Sequence, residues 1–289
     1  FLIIMKLFWN TNKNLNTFWG NYHSNNSREW IFYILKMVNI DEIDKIENIS
    51  KDEKVIIVDS ELSGKEDFYK NLLLKTKNIF LIHLGDEGGT ENKNYIYNNC
   101  THIWRTFCLG EFFVNKKITC IPIGYKNGVS NNLKNIDDKK YNWAFLGTVH
   151  GSSRFDLLYH HQKVKNGFSR ATKKFGSKDS LSSIEYYEIL KDTKFLPIPH
   201  GYYHPETYRL YEALESGCIP VIENPQNFFD KFYPDNPILK IKLWKESSDI
   251  IISYLEDKKK INDLSTRINN WWKEYKKNLQ NNFKETLDV

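Results

Sequence analysis

The chain has 289 residues, which is enough for one large domain or for two domains of ordinary size. Its 41 basic and 36 acidic residues leave a formal net charge of +5, and the charges are dispersed instead of forming blocks. This mild charge argues against a nucleic-acid partner and suits a small anionic ligand. The apolar start at residues 1–9 is too short to span a membrane and lacks the features of a secretory signal.

The four cysteines, Cys100, Cys108, Cys120 and Cys218, contain no C-x-x-C pair and no metal-ligand spacing. They therefore predict neither a zinc site nor a disulfide framework. Together with the absence of a signal or a membrane segment, they lead us to expect a reducing compartment and a cytoplasmic protein.

In the first half of the chain, apolar runs typical of strands alternate with helical patterns. Strands are predicted at residues 4–9, 55–58, 79–84 and 118–123, and helices at about 27–38 and 64–75. The polar stretch 126–140 has almost no apolar residue and reads as a linker.

The second half repeats the alternation, with strands predicted at residues 143–146, 195–198, 218–222 and 238–241. A long charged amphipathic helix follows at about 258–287. This order predicts an α/β protein with two Rossmann-like domains that face a cleft. We expect an amino-terminal domain at 1–130, a second domain at 131–257, and a carboxyl-terminal helix at 258–289 that bridges them.

Two loops of the second half follow predicted strands, where open α/β sheets bind ligands. The first is Phe-Leu-Gly-Thr-Val-His-Gly-Ser-Ser-Arg at 145–154, in which glycines allow close approach of the backbone and Arg154 lies where a helix begins. It could cradle a diphosphate, although it lacks the G-K-[ST] ending of a Walker loop. The alternative is a simple loop with a serine N-cap.

The second loop, 197–204, is a rigid Pro-x-Gly turn that leads into a helix beginning near Glu206. A helix start offers unpaired N–H groups and a partial positive charge, so phosphates can bind there with Arg209 as a charged donor, and a carboxylate can bind ribose hydroxyls. His200 suits a hydrogen bond to phosphate or sugar better than a metal. The same pattern also fits a purely structural helix and strand.

These segments resemble the donor-site core of the exostosin-like glycosyltransferases, which have the GT-B fold. That family has a strand ending in Pro-x-Gly, then an arginine a few residues before Glu-Ala-x-x-x-Gly-x-Ile-Pro-Val, and the chain keeps each element at 187–201 and 208–222. The ribitol xylosyltransferase group is the most similar within it. It shares Phe-Leu-Gly-Thr at 145–148, Ser-Ser-Arg at 152–154, the run 206–213 and Trp-Lys-Glu at 244–246.

The resemblance implies an inverting transfer of xylose from UDP-xylose to a glycan hydroxyl, with a β-linked product and no required metal or other cofactor. It makes 1–130 the acceptor-side domain and 131–257 the nucleotide-sugar donor domain. It implies that Arg154 and Arg209 bind the donor diphosphate and that Glu212 binds the ribose. The remaining predicted donor-binding residues are Gly147, Ser153, His200, Gly201, Glu206, Thr207 and Tyr208.

An inverting transfer also needs a base for the acceptor hydroxyl. His-Leu-Gly-Asp-Glu-Gly-Gly at 83–89 follows a buried strand and places two carboxylates in what we expect to be a flexible loop. A similar Leu-Gly-x-Glu in the ribitol xylosyltransferase group favours Glu87 as the base and Asp86 second. The alternatives are that both residues cap a turn, that the chain is a binding module without catalysis, or that the transfer is retaining.

Overall fold

Buried apolar runs form the strands of two parallel sheets in the computed structural model, which describes residues 4–11, 22–129, 133–174 and 178–288. The described residues up to Asn127, together with those from Lys276 onward, form the first unit. Those from Gly128 to Tyr275 form the second unit. The prediction of an α/β protein with two parallel-sheet domains is confirmed. The predicted domain limits remain predictions, and the boundary at 130 and 131 touches residues outside the described part.

The first unit contains a six-stranded sheet in the order β2-β1-β3-β4-β5-β6, with every neighbouring pair parallel. Its strands are β1 (Met5–Trp9), β2 (Ile40–Ile43), β3 (Val55–Asp59), β4 (Ile79–His83), β5 (His102–Arg105) and β6 (Ile118–Cys120). Its helices are α1 (Tyr22–Asn26), α2 (Arg28–Ile34), α3 (Glu66–Leu73) and α4 (Asn94–Asn99), with 3₁₀ turns at Ile46–Asn48 and Gly110–Phe113. Every residue of β3 and β4 is buried, as expected for central parallel strands.

The second unit contains a five-stranded parallel sheet in the order β11-β10-β9-β7-β8. Its strands are β7 (Tyr141–Thr148), β8 (Gly167–Thr172), β9 (Thr193–Ile198), β10 (Ile219–Glu223) and β11 (Leu239–Ile241). Its helices are α5 (Gly151–His161), α6 (Ser183–Lys191), α7 (Tyr208–Glu215), α8 (Phe228–Phe232) and α9 (Trp244–Leu255), with 3₁₀ turns at Ile136–Asp138 and Pro225–Asn227.

The predicted long carboxyl-terminal helix is present as α10 (Lys258–Asp288). Its part up to Tyr275 belongs to the second unit, where Trp272 donates from Nε1 to Glu215 over 2.8 Å. The part from Lys276 onward belongs to the first unit, where Phe283 stacks on Trp104 with ring centroids 4.2 Å apart. Buried apolar residues recur at helical spacing along its whole length: Ile261, Leu264, Ile268, Trp272, Leu279, Phe283 and Leu287.

The sequence analysis did not predict three of the strands, and each omission has a physical reason. β2 is an edge strand with two acidic residues in its centre, and β8 is an edge strand with no buried residue. Neither has the apolar run that reveals a central strand. β5 has only four residues, and one of them is the charged but fully buried Arg105.

The expectation of no disulfide is wrong, because Cys108 and Cys120 are bonded to each other in the first unit. Sequence spacing hides this pair, since the two cysteines are brought together by β5 and β6 pairing side by side. Cys100 and Cys218 are free and buried, and burial raises the pKa of both thiols. Among the described residues, none of the helices combines the length and apolarity that a membrane crossing requires.

Candidate functional site

Three strands of the second sheet, β7, β9 and β10, end side by side at Thr148, Ile198 and Glu223. Parallel strands carry their carboxyl ends to one edge of a sheet, and loops at that edge bind ligands in open α/β folds. Two helices follow two of these strand ends: α5 begins at Gly151, shortly after β7, and α7 begins at Tyr208, after the loop that follows β9. We call this edge and its loops the strand-end site.

Arg154 lies in the first turn of α5, with only 5% of its surface exposed. Its Nη1 donates to the Thr148 carbonyl over 2.6 Å and its Nη2 to the His200 carbonyl over 3.4 Å. Burial and the nearby Arg209 charge lower the pKa of Arg154 to about 9, against an opposing effect of Glu223. The side chain is therefore still a cation at neutral pH.

Arg209 is the second residue of α7, and its Nε donates to the Leu146 carbonyl over 3.1 Å. The guanidinium lies against Gly147, where a Cβ atom would overlap its Nη2. Gly147 also has a φ of +145°, which side-chain-bearing residues rarely adopt. The predicted glycine and arginine are thus in direct contact.

The two guanidiniums have backbone carbonyls as partners, and within the described residues neither forms an ion pair with a carboxylate. His150, the N-cap of α5, adds a third basic group, and burial together with Arg154 and Arg209 lowers its pKa. The N-cap residues of α5 and α7 make no side-chain capping bond, which leaves N–H groups of both helix starts without intrahelical partners. The site therefore holds two guanidinium cations, and Glu223, whose charge raises the pKa of Arg154, is an anion near them.

Glu223 is a member of the site that sequence reasoning did not identify. Its two carboxylate oxygens lie 2.9 and 2.8 Å from the Ser153 hydroxyl, and one accepts from the His200 backbone N–H over 3.1 Å. Trp244 donates from Nε1 to the same Ser153 oxygen over 2.8 Å. Glu223 thereby joins the start of α5 to the loop after β9. Its position at the carboxyl end of β10 was the available signal.

His200 and Gly201 form the loop after β9, as the Pro-x-Gly pattern predicts. The Gly201 N–H donates to the His204 carbonyl over 2.9 Å, and His200 Nδ1 lies 2.7 Å from the Gly201 carbonyl. His204 has only 1% of its surface exposed, so this end of the turn is anchored in the interior. The structure therefore brings Gly147, Ser153, Arg154, His200 and Arg209 together around one edge.

Glu212, the predicted ribose ligand, lies in the middle of α7 with 1% of its surface exposed. Its carboxylate accepts a 2.6 Å hydrogen bond from the Tyr186 hydroxyl and a 3.4 Å bond from that of Tyr187. Burial and the Glu212 charge raise the pKa of Tyr186, so the phenol stays protonated and donates. Two residues of α6 thus hold this carboxylate in place.

Glu206, Thr207 and Tyr208 have different surroundings, although they are adjacent. Glu206 is buried and accepts from the Tyr211 hydroxyl, which also contacts Tyr233 over 2.7 Å. Thr207 is the N-cap of α7, and its Oγ1 is buried without a hydrogen-bond partner in the described part of the chain. Tyr208 is the half-buried first residue of the helix. Glu206 therefore faces aromatic rings of the interior.

Asp86 and Glu87 follow β4 in the first unit. The Asp86 carboxylate is 1% exposed, contacts Arg105 at 2.9 Å and Lys93 at 3.1 Å, and accepts from the Glu91 N–H over 3.0 Å. Burial raises the pKa of Asp86, but the Glu91 bond and the Arg105 and Lys93 contacts outweigh it and leave the pKa lowered. Such a carboxylate is a weak base.

Glu87 is half-buried in a turn that the Gly89 N–H closes on the Asp86 carbonyl over 3.0 Å. The expected loop contains this turn, next to the ion pairs of Asp86 with Arg105 and Lys93. Arg105 is fully buried there, and its Nη1 donates to His83 Nδ1 over 2.9 Å. This bond places the proton of neutral His83 on Nε2, and burial and Arg105 lower the pKa of His83.

No group of three or more His, Cys, Asp or Glu side chains that could hold a metal ion occurs within residues 4–11, 22–129, 133–174 and 178–288. The chemistry that the strand-end site offers on its own is charge-assisted hydrogen bonding to an anion. Two guanidiniums and two helix starts match the several oxygens of a phosphate chain.

Residues 124–289 match a family model that is described as the RXYLT1 C-terminal domain. This range contains the whole strand-end site. No protein of the curated set is a significant sequence match to the chain.

Several solved structures share the architecture of both units. The DNA modifying enzyme β-glucosyltransferase, studied with and without its substrate uridine diphosphoglucose, gives a TM-score of 0.57 at 12% identity, covering 99% of this chain and all of that one. An α1,3-fucosyltransferase has a TM-score of 0.56 at 12% sequence identity, and the match covers 99% of this chain and 90% of that one. HepE of Anabaena in complex with UDP-glucose has a TM-score of 0.53 at 7% sequence identity, and the match covers 98% of this chain and 99% of that one. At these identities the likeness shows the fold, which is that of GT-B glycosyltransferases.

Proposed function

Because the chain belongs to the family of the RXYLT1 C-terminal domain, we propose that it is a glycosyltransferase that uses a UDP-sugar donor. More specifically, we propose an inverting transfer of xylose from UDP-xylose to a glycan hydroxyl, giving a β-linked product. The family match supports this proposal, as do the UDP-glucose complexes of proteins with the same fold.

The observation that carries the proposal is the pair Arg154 and Arg209. Both charges lower the pKa of His150, and Arg209 also lowers that of Arg154. Within the described residues, neither guanidinium forms an ion pair with a carboxylate. A diphosphate would add negative charge beside the two cations and accept hydrogen bonds from both guanidinium groups. We assign Gly147, Ser153, His200, Gly201, Thr207 and Tyr208 to the surroundings of this diphosphate and its sugar, and we keep Glu206 in that set as a prediction.

Glu212 is our proposed ribose ligand. Its carboxylate is oriented by Tyr186 and Tyr187, which occupy part of its accepting capacity. The remaining lone pairs could accept hydrogen bonds from ribose hydroxyl groups. The phenol groups would therefore fix the carboxylate before the donor arrives. Pre-positioning of this kind reduces the entropy lost on binding.

In the proposed reaction, an acceptor oxygen attacks C1 of the donor sugar from the side opposite the diphosphate. The bond between C1 and the phosphate oxygen breaks, and its electron pair leaves with UDP, whose growing charge Arg154 and Arg209 stabilise. The acceptor proton passes to a base, for which we propose Glu87. Asp86 is the weaker candidate, because Arg105 and Lys93 already hold its carboxylate.

The acceptor and the cellular location are also proposals. We propose a glycan acceptor and no nucleic acid, since the net charge is only +5 and dispersed.

The Cys108–Cys120 disulfide is typical of oxidising compartments, whereas the sequence led us to expect the cytoplasm. Alkylation of thiols in intact cells, followed by mass spectrometry of this pair, decides between the two locations.

A panel of nucleotide sugars tests the proposed donor. We expect UDP and UDP-xylose to raise the melting temperature of the protein, and UDP-xylose to be consumed faster than UDP-glucose, UDP-galactose or UDP-glucuronic acid. Glycans and DNA serve as the two arms of the acceptor test, each with Mn²⁺ and with EDTA. A product with an axial anomeric linkage by NMR would show a retaining enzyme, and protein that binds UDP but never turns over would be a binding module.

A further inference from the structure

The turn between Gly201 and His204 presents two tyrosines to solvent. Tyr202 is 70% exposed and Tyr203 is 72% exposed. The turn is nevertheless anchored, because the Gly201 N–H bonds to the His204 carbonyl over 2.9 Å and His204 packs edge-on against Phe228 with ring centroids 4.8 Å apart. Two large rings are thus held outward by a fixed backbone.

The two tyrosines continue a row of rings that begins at the strand-end site. The ring centroids of Tyr203 and Tyr202 are 5.4 Å apart, and those of Tyr202 and His150 are 4.9 Å apart. We call His150, Tyr202 and Tyr203 the aromatic row. His150 is the N-cap of α5, whose first turn carries Arg154.

The high exposure of Tyr202 and Tyr203 contrasts with the burial of the tyrosines that form the core of this unit. Tyr187, Tyr211 and Tyr233 are buried and contribute to its interior. Tyr202 and Tyr203 leave most of their ring surface in water, so they add little to the stability of the fold. Adjacent exposed rings beside a charged site are typical of a ligand surface, because an aromatic face and a hydroxyl suit a ligand with both apolar and polar faces.

We propose that the aromatic row is a sugar-binding subsite, on which a pyranose ring stacks next to the bound diphosphate. The C–H face of a pyranose would lie on the rings of Tyr202 and Tyr203, and its hydroxyl groups would reach the phenols. This inference rests on the proposed function, and it adds where the sugar lies. The pyranose comes either from the donor or from the acceptor glycan.

Titration calorimetry on the Tyr202→Ala and Tyr203→Ala variants tests the subsite with three probes: UDP, UDP-xylose, and methyl β-xylopyranoside in the presence of UDP. If the donor sugar stacks here, affinity for UDP-xylose falls about three- to tenfold while that for UDP is unchanged. If the acceptor stacks here, only the xyloside binding falls. Tyr202→Phe keeps the ring and retains most of the affinity.

Tyr159→Ala is the matched control, because Tyr159 is a 69% exposed tyrosine on α5 of the same unit and lies outside the row. Affinities within twofold of the wild type for every probe that the wild type binds would overturn the subsite. An equal loss for UDP and UDP-xylose would overturn it too, since the rings would then contact the nucleotide. A wild type that binds neither UDP nor UDP-xylose would overturn the proposed function itself.

Discussion

Arg209 lies so close to Gly147 that only a residue without a side chain at position 147 leaves room for its guanidinium. A Cβ at residue 147 would overlap the Nη2 atom of Arg209, and the φ of +145° excludes most side chains on its own account. The contact links the end of β7 to the start of α7. It explains why a glycine and an arginine 62 positions apart in the chain serve one site.

Gly147→Ala should therefore displace Arg209 and weaken UDP binding about tenfold or more, which titration calorimetry would measure. Gly64→Ala is the control, since Gly64 also has a positive φ, of +76°, but a Cβ there meets no atom within 4 Å. It should lower stability through backbone strain and leave UDP affinity unchanged. Equal UDP affinity in Gly147→Ala and wild type would contradict the role of this contact.

Ser153→Ala should lower the free energy of unfolding by about 1–3 kcal/mol, because it removes the partner of both the Glu223 carboxylate and the Trp244 indole N–H. Urea denaturation followed by circular dichroism measures this change. The exposed Ser253 on α9 bonds the Ile250 carbonyl, and Ser253→Ala should have little effect. An equal loss of unfolding free energy in the two variants would show that the Ser153 hydrogen bonds stabilise the fold no more than an exposed serine does.

Asp86→Asn should destabilise the protein by about 3–5 kcal/mol, because Arg105 is fully buried and loses its charged partner. The exposed Asp67–Lys70 pair gives the control, and Asp67→Asn should leave the unfolding midpoint unchanged. Chemical denaturation at neutral pH compares the two. A midpoint for Asp86→Asn equal to that of the wild type would mean that this ion pair does not hold the Glu87 turn.

The same ion pair predicts the direction of a pH dependence. The folded-state pKa of Asp86 is lowered, so its contribution to stability is fully present above the unfolded pKa of about 3.9 and is lost as pH falls through the folded pKa. Denaturation of the wild type and Asp86→Asn at a series of acidic pH values should show their stabilities converging. A difference that stays constant down to the lowest pH would contradict this assignment.

Reduction of the Cys108–Cys120 disulfide should lower stability by about 2–4 kcal/mol, since the bond restricts the unfolded chain. Unfolding of the wild type with and without dithiothreitol measures the loss, and a Cys108→Ser/Cys120→Ser variant should match the reduced wild type. Cys218→Ser controls for removal of a buried thiol that has no disulfide partner. Two free thiols at positions 108 and 120 in the purified, unreduced protein would contradict the bond.

Much of the fold follows from local sequence pattern. Continuous apolar runs predicted the central strands β3, β4, β9 and β10, because such strands are buried on both faces. The stripe of apolar residues at helical spacing predicted α10. Edge strands and the short β5 could not be found in this way, since their residues are polar or their length is too small.

The site was predictable where one local motif holds the residue. Gly147, Arg154 and Arg209 belong to recognisable turns and helix starts, and the structure brings them together. Glu223 was not predicted as a site residue, because its place in the site depends on hydrogen bonds with Ser153 and His200, which lie far away in sequence. The disulfide and the Asp86–Arg105 pair escaped for the same reason, because both depend on strand order, which a single sequence does not show directly.

Isothermal titration of UDP tests most directly whether Arg154 and Arg209 hold a nucleoside diphosphate, as we propose. The wild type should bind UDP, and the Arg154→Ala/Arg209→Ala variant should lose at least a hundredfold in affinity, since two charge-assisted interactions disappear. Arg267→Ala, which removes an exposed arginine of α10, should bind as the wild type does. Undiminished UDP binding by the double variant, or no UDP binding by the wild type, would contradict the claim.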